Sequence, residues 1–132
     1  MTDPRVHIIE KRLADIDRIV VFVSGKGGVG KSSCACVSSL ILAEKGLRTG
    51  FLDLDFQGAS DHILLGINPE LPDEDGGILP IRCDYDLKFM SAVCFSGERD
   101  LALRGNAVTD AILELLAVTQ WGNLDVLIID MP

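Results

Sequence analysis

An apolar run that passes directly into a glycine-rich loop constrains the fold of this chain more than any other feature. Residues 18–24 (RIVVFVS) are almost continuously apolar, which predicts a strand buried on both faces of a parallel sheet. The loop GKGGVGKS follows at residues 25–32, and the segment 31–45 has no helix breaker before Gly46. The sequence therefore predicts a strand, a tight glycine loop and a helix, which together begin a β-α-β unit.

The rest of the chain continues this alternation. Strands are predicted at 48–55, 87–95 and 124–130. Helices are predicted at 59–66, with Ser60 or Asp61 as cap, and at 107–120, with Asn106 as cap. The segment 66–86 is predicted to be mostly loop, with a brief strand at 78–81. Strands that alternate with helices predict an α/β fold, a doubly wound parallel sheet between two helical layers. A length of 132 residues is enough for one domain with its own core, so residues 1–132 are interpreted as a single domain.

A short amphipathic helix is predicted before the first strand, in RVHIIEKRLADI. Thr2 or Asp3 is the expected cap, with Pro4 in the first turn. We expect this helix to cover the sheet. Its apolar stripe is predicted to comprise Val6, Ile9, Leu13 and Ile16.

The composition of the chain argues against two classes of partner, nucleic acids and membranes. A formal net charge of -8 argues against nucleic-acid binding as the main role, because phosphate backbones are bound by clusters of lysine and arginine that this chain lacks. No apolar run approaches the roughly 20 residues that span a bilayer, and the N-terminal sequence is too polar for a signal peptide. We therefore expect no membrane partner and a cytoplasmic location.

The four cysteines, Cys34, Cys36, Cys83 and Cys94, are expected to be free thiols rather than a disulfide framework. Cys34 and Cys36 fall in a predicted helix, where two residues separated by one position point to nearly opposite sides. They cannot share one metal ion, so buried apolar packing is the interpretation for this pair.

Residues Gly25 to Ser32 satisfy the phosphate-binding loop pattern GxxxxGK[S/T], between a predicted strand and a predicted helix as that mechanism requires. Its glycines let backbone N–H groups turn toward phosphates, and the helix adds its positive dipole end. Lys31 is expected to reach the β- and γ-phosphates, and the Ser32 hydroxyl to bind Mg²⁺. The predicted nucleotide-binding residues are Gly25, Lys26, Gly27, Gly28, Val29, Gly30, Lys31, Ser32 and Ser33.

Three carboxylates are predicted at the carboxyl ends of strands, on the edge of the sheet that also carries the glycine loop. Asp130 closes the most apolar strand, where a carboxylate can hold Mg²⁺ through a water molecule. Asp53 and Asp55 alternate along a strand end and are expected to have different roles. One can orient the attacking water while the other supports the metal or the loop.

These segments resemble a known family. SGKGGVGKSS is similar to the deviant Walker A motif of the MinD/ParA/nitrogenase-iron-protein class, whose mark is the additional lysine at Lys26. Within that class the chain resembles the Mrp-type P-loop ATPases, also called ApbC-type iron-sulfur cluster carriers, over residues 19–132. The segments that carry the resemblance are FLDLDFQGASDHILLGI, LKFMSAV, LRGNAVTDAI and WGNLDVLIIDMP.

The resemblance implies a role for each matching position. Lys26 is the lysine that reaches the phosphates in the partner subunit of a nucleotide-bound homodimer, and it counts with Lys31 and Asp55 as catalytic. Asp55 positions the hydrolytic water, and Asp53 supports the magnesium site with Ser32. Asp130 is the Walker B aspartate, and Met131-Pro132 opens the second switch segment.

The resemblance also implies the cofactors and partners. They are ATP, Mg²⁺, an iron-sulfur cluster, a second copy of the full-length protein and apo iron-sulfur client proteins. Members of the family continue past the Walker B strand to a CxxC pair that holds the cluster, and no cysteine here matches that pair, so the chain is expected to be the N-terminal half. Gly58-Ala59-Ser60 stands where the family usually has Gly-Pro-Ser.

Three functions follow from these observations. The first is an ATP-binding and slowly hydrolysing carrier of iron-sulfur clusters. The second is a spatial organiser of the MinD/ParA kind, which the acidic charge and the Mrp-like segment 121–132 disfavour. The third is an interaction module that keeps the fold without turnover. The base specificity and the client proteins are not encoded in these residues.

Overall fold

A computed structural model describes residues 3–26, 30–55, 61–66, 77–92 and 106–132, except for the side chains of residues 62 and 106. A short 3₁₀ turn, Asp84–Asp86, precedes the fourth strand. The other elements in chain order are α1 (Pro4–Leu13), β1 (Ile16–Phe22), α2 (Lys31–Glu44), β2 (Thr49–Asp53), α3 (Asp61–Leu64), β3 (Ile81–Arg82), β4 (Lys88–Ser91), α4 (Asn106–Val118) and β5 (Leu124–Asp130).

The strands form one sheet in the order β1-β5-β2-β4-β3. The first four are mutually parallel, and only the short β3 runs antiparallel, beside β4. The register pairs Asp130 with Phe22 on one side and with Asp53 on the other, so the carboxyl ends of the strands are level. The predicted parallel sheet is confirmed, with an antiparallel edge strand as an addition.

The core lies in two layers, one on each face of the sheet, because successive side chains along a strand point to opposite faces. On one face Leu127 and Ile129 pack with Leu115 of α4 and with Trp121, which lies between α4 and β5. On the other face Ile128 of β5 packs against α2 through buried residues that include Ala35 and Cys36. Helices therefore cover both faces, as the α/β prediction required.

Helix α1 follows the prediction at its start and departs from it at its end. Asp3 caps it by accepting a hydrogen bond from the backbone N of Arg5, at 2.9 Å. Ile16 belongs to β1 rather than to the helical stripe. The helix lies beside α4, where the Arg5 guanidinium pairs with Asp110 at 2.8 Å, and none of its residues is buried. It covers α4 more than it covers the sheet.

Strand β1 corrects a second prediction. It ends at Phe22 rather than at Ser24, and Ile19, Val20 and Val21 are between 42% and 48% exposed. Within the described part of the chain β1 pairs only with β5. The apolar run indicated a strand that can be buried on both faces, but the pattern carries no information about which neighbours cover it.

The middle strands are shorter than predicted. β2 spans five residues and is wholly buried, and β4 ends at Ser91, with residues 93–95 of the predicted strand outside the described residues. In place of a strand at 78–81, Ile78 forms a single parallel bridge with Thr119, and the two-residue β3 follows.

The helix boundaries also shift. Asp61 is the first residue of α3 rather than a residue before it, and Ser60 lies outside the described residues. α4 begins at residue 106 and ends at Val118, so Thr119 falls just beyond it. In the part of the chain that the structure describes, no helix is long and apolar enough to cross a membrane.

Gly50 in β2 allows the close packing of β5 and of Trp121, which precedes β5, at the centre of the fold. A Cβ atom at this position would lie 2.7 Å from Leu124 Cδ1 and 2.9 Å from Trp121 Cε3. We expect Gly50→Ala to lower the free energy of unfolding by about 1–3 kcal/mol, because both neighbours are fully packed and must shift. Chemical denaturation measures this effect.

Thr109→Ala, an exposed substitution in α4, is the matched control and should change the unfolding free energy by less than about 0.5 kcal/mol. Equal stability of the Gly50 and Thr109 variants would contradict the packing around Gly50.

Candidate functional site

The glycine loop connects the end of β1 to the first turn of α2. Gly30 caps the helix in the left-handed conformation, with φ at +88°, which a residue with a side chain adopts only with strain. The backbone N of Cys34 donates to the Gly30 carbonyl at 2.9 Å, the first bond of the helix. Gly25 and Lys26 are exposed, and residues 27–29 of the predicted loop lie outside the described residues. The positive end of the α2 dipole thus faces the loop.

Lys31 connects this helix to the sheet. Its ammonium group donates to Asp130 Oδ1 and to the backbone carbonyl of Met131. The Lys31 side chain is 15% exposed and that of Asp130 is fully buried, so little solvent screens the pair. The phosphate-loop lysine and the carboxylate that closes β5 are therefore in direct contact, although 99 positions separate them in the sequence.

Three buried carboxylates meet beside this pair. Asp53, Asp61 and Asp130 each offer an oxygen, and these oxygens all lie within 4.8 Å of one another. All three residues are fully buried. Parallel pairing of β2 with β5 brings Asp53 and Asp130 together, and α3 adds Asp61. The end of the sheet therefore holds a concentrated negative charge.

Asp53 is held in place by two hydrogen bonds. Its Oδ1 accepts from the backbone N of Asp55 at 3.0 Å, and its Oδ2 accepts from the Ser91 hydroxyl at 3.1 Å. Ser91 ends β4 as Asp53 ends β2, so the adjacent strand supports this carboxylate. Ser91 was not among the predicted site residues.

The environment separates the pKa values of the three carboxyl groups. Burial raises the pKa of Asp53 to about 7, against the opposing effect of the hydrogen bond from Asp55. Burial, and a shared hydrogen bond with Asp130, raises the pKa of Asp61 to about 10. Burial acts in the same direction on Asp130, but hydrogen bonds from Asp61, Lys31 and Ser32 hold its pKa below the ordinary value. Asp130 is therefore the group that carries the negative charge most readily.

The remaining predicted residues lie around this cluster. Ser32 is half-buried, and its hydroxyl bonds to Asp130. Asp55 is half-buried just past the end of β2, whereas Lys26 and Ser33 are exposed. The structure thus brings Lys31, Ser32, Asp53 and Asp130 together, places Asp55 beside them, and leaves Lys26 and Ser33 on the surface.

The residues present fit a hard divalent cation such as Mg²⁺. Asp61 Oδ1 and Oδ2 and Asp130 Oδ2 are buried, and none of them accepts a hydrogen bond from a described group. Carboxylate and hydroxyl oxygens are the ligands that Mg²⁺ prefers. Buried oxygens without donors are what a bound cation would satisfy.

Asp61 is a second residue, besides Ser91, that the sequence reasoning did not place in the site. The pattern around it suggested only a helix cap, because aspartate is common at helix starts. The signal in the sequence was an acidic residue only eight positions after Asp53. In the structure a short helix at this point returns toward the end of β2. Only the folded chain shows that the side chain points inward and is fully buried.

The cysteines take different positions. Cys36 is buried and Cys34 is exposed, so the two thiols do point apart, but the predicted buried packing is wrong for Cys34. Cys83 is half-buried, and its Sγ donates to the Ile81 carbonyl at 3.7 Å. These three described cysteines are free thiols, and Cys94 lies outside the described residues.

A cavity of about 330 Å³ lies at the other edge of the sheet, where the strands begin. Its charged lining residues are already paired: Arg48 with Asp125, Arg82 with Asp86, and Lys88 with the Trp121 carbonyl. The cavity is remote from the acidic cluster, so it is not part of the site.

A glycine loop between the first parallel strand and a helix, with a lysine paired to the carboxylate of an adjacent strand, defines a P-loop NTPase. The family model ParA, described as NUBPL iron-transfer P-loop NTPase, matches residues 15–132. The chain belongs to this family, and its resemblance to iron-sulfur cluster carriers is confirmed.

Two curated relatives illustrate the likeness. The iron-sulfur cluster carrier protein of Pseudomonas fragi is 38% identical over 125 residues, which cover 91% of this chain and 43% of the relative. The iron-sulfur cluster transfer protein NUBPL of Dictyostelium discoideum is 39% identical over 130 residues, which cover 96% of this chain and 40% of the relative. The chain therefore spans about two-fifths of the length of these relatives.

The fold matches a solved structure, a nucleotide-binding protein from Archaeoglobus fulgidus in complex with ADP, described with cobalt. The TM-score is 0.79 and the identity is 31%, over 93% of this chain and 47% of that one. The predicted fold class is thereby confirmed.

The pKa of Asp53 predicts how stability varies with pH when divalent cations are removed by a chelator. The unfolded carboxyl loses its proton near pH 4, whereas the folded one retains it up to about pH 7. Between these values the folded state binds more protons, so this residue makes stability fall as pH rises, by up to about 1.4 kcal/mol per pH unit. Denaturation curves from pH 4 to 8 measure the fall.

Asp53→Asn removes the titrating group, so its stability should vary less with pH over this range. Asp84→Asn, an exposed substitution in the 3₁₀ turn, should retain the wild-type dependence. The same pH dependence in all three proteins would contradict the raised pKa of Asp53.

Proposed function

We propose that this chain is the ATP-binding part of an iron-sulfur cluster carrier that hydrolyses ATP slowly. The observation that carries the proposal is the contact of Lys31 with Asp130 beside Asp53, at the helix end where a phosphate would be bound. Membership of the family and the names of the relatives support it. In this proposal residues 1–132 form the N-terminal, nucleotide-binding portion.

The phosphate groups would be bound by the loop of residues 25–33. Gly30 and the first turn of α2 present backbone N–H groups and the positive end of the helix dipole. Lys31 would exchange its contact with Asp130 for the β- and γ-phosphates. The ADP found in the Archaeoglobus protein supports a nucleotide as the ligand of this loop.

Mg²⁺, when bound, would neutralise charge on the phosphates. Ser32 and Asp53 would hold it, and Asp130 would do so through a water molecule. Asp55 would orient the attacking water. It is half-buried one residue beyond the fully buried Leu54, and its backbone N is fixed to Asp53 Oδ1. Lys31 and Lys26 would then stabilise the charge that develops on the phosphates.

Lys26 would act in the second subunit of a homodimer. Its side chain is exposed at the mouth of the loop, and no described contact occupies it. Its backbone is anchored locally, because its N–H donates a hydrogen bond to the Ser24 hydroxyl oxygen at 3.1 Å. An exposed lysine on a fixed backbone is suited to reach a neighbouring site.

The described cysteines of this chain would not bind the iron-sulfur cluster. Cys36 is buried and Cys34 is exposed, so these two thiols of α2 point apart and would not bind one cluster together. We therefore propose that the full-length protein delivers its cluster to apo client proteins through residues beyond those described.

Lys31→Ala tests the nucleotide site. Loss of the ammonium group removes a charge-assisted contact with the phosphates, so the Kd for a fluorescent ATP analogue should rise about 30- to 100-fold. Lys45→Ala, an exposed lysine at the opposite end of α2, is the matched control and should leave the Kd unchanged. Equal affinity in both variants would remove the basis of the proposal.

Lys26→Ala tests the two-subunit site. The variant should bind the ATP analogue as wild type does, because its contact is made to the partner subunit's phosphates. In wild type, a dimeric site makes ATP turnover per chain rise with protein concentration. In the variant, turnover per chain should not rise. Phosphate release at a series of protein concentrations is the measurement, and unchanged turnover would contradict the role of Lys26.

A further inference from the structure

Asp61 has no role in the function proposed above, yet its carboxylate is fully buried. Neither Oδ1 nor Oδ2 accepts a hydrogen bond from a described group. Among the described groups its hydrogen-bond partner is another acid, Asp130, and proteins rarely bury a carboxyl group in such a position without a reason. A ligand that supplies positive charge is the simplest reason.

We propose that Asp61, Asp53 and Asp130 form a divalent-cation site that binds its ion in the absence of nucleotide. One oxygen from each residue lies within 4.8 Å of the others. Oxygens on opposite sides of one ion are separated by about 4 to 5 Å, twice the usual metal–oxygen distance for Mg²⁺ or Ca²⁺. The three side chains can therefore contact a single ion with little rearrangement.

The hydrogen bonds leave the required oxygens free. Asp130 uses Oδ1 for Lys31 and has no partner at Oδ2. Each oxygen of Asp53 accepts one hydrogen bond, which fixes the carboxylate and leaves a lone pair on each atom. With both oxygens of Asp61, three buried oxygens have no competing donor among the described groups.

The charges are consistent with a divalent ion. An ion that takes the place of the proton shared by Asp61 and Asp130 would face three carboxylates with three negative charges, and Lys31 contributes one positive charge through its pair with Asp130. A divalent cation makes this buried group neutral, whereas a monovalent cation leaves it negative. Neutralisation matters here because solvent does not screen the three side chains.

The donor atoms select a hard ion. Among the described thiols, that of Cys36 senses the site: its pKa is raised to about 11 by burial and by the negative charges of Asp61 and Asp130. It remains a neutral thiol near neutral pH, so the described residues of the site offer oxygen ligands. Mg²⁺, Mn²⁺ and Ca²⁺ suit such a site better than the softer metals that thiolates bind.

This site goes beyond the proposed function. In the proposed function the ion arrives with the phosphates of the nucleotide, whereas at this site the three carboxylates of the protein bind the ion without nucleotide. Mn²⁺ is a suitable probe, since its free form is measured directly by electron paramagnetic resonance. The full chain is first treated with a chelator and kept free of nucleotide. Wild type should bind one Mn²⁺ per chain, and Asp61→Asn should weaken that binding at least tenfold while preserving the shape of the side chain.

The control is Asp84→Asn, which removes an equal charge from an exposed position and should bind Mn²⁺ as wild type does. Thermal melting gives a second readout: Mn²⁺ should raise the Tm of wild type and of the Asp84 variant, and raise that of Asp61→Asn much less. If Asp61→Asn does not fold, Asp61→Glu keeps the charge, displaces the oxygens by one methylene and should also bind Mn²⁺ more weakly.

Mn²⁺ binding that is equal in wild type and the Asp61 variants would overturn the proposal, and so would a wild-type chain that binds no Mn²⁺ without nucleotide. These results are separate from the nucleotide experiments. A chain that fails to bind the ATP analogue but binds Mn²⁺ through Asp61 would refute the proposed function and support this site.

Discussion

The contact between Lys31 and Asp130 is the interaction on which the site depends. It joins the first turn of α2 to the end of β5, which lies between β1 and β2 in the sheet. Because Asp130 is fully buried, the ammonium of Lys31 compensates a charge that would otherwise be costly at this position. The same lysine is the group expected to bind phosphate, so one side chain links the stability of the sheet edge to its chemistry.

The acidic cluster shows how a functional site can oppose stability. Asp53 and Asp61 are buried near Asp130, and burial raises the pKa of each above its ordinary value. Apolar residues in these places would pack without that cost. Carboxylates at the carboxyl ends of parallel strands are instead placed to meet a cation and the phosphates that accompany it. The surrounding core of β2, β4 and β5 is dense enough to hold this unfavourable group in place.

Much of the fold could be predicted, because its signals are local. A continuous apolar run marks β5, a glycine with positive φ ends the loop at Gly30, and Lys45-Gly46 ends α2 as expected. The exposure of β1 was not predictable, since its apolar residues are the same whether or not another element covers them. A brief strand was expected at 78–81, but the bounds of β3 and its antiparallel direction were not predictable, because two residues are too short a segment for periodicity.

The sequence by itself determined the chemistry that is available: a phosphate-binding loop with two lysines, and acidic residues at the ends of predicted strands. These are properties of short segments, and spacing along the chain is sufficient to recognise them. Only the tertiary structure decided which of these groups meet. Strand register sets Asp53 beside Asp130, and the return of α3 buries Asp61 against both, while Lys26 stays exposed. Such contacts join residues far apart in sequence, and the packing of the sheet and its helices, rather than any local pattern, brings them together.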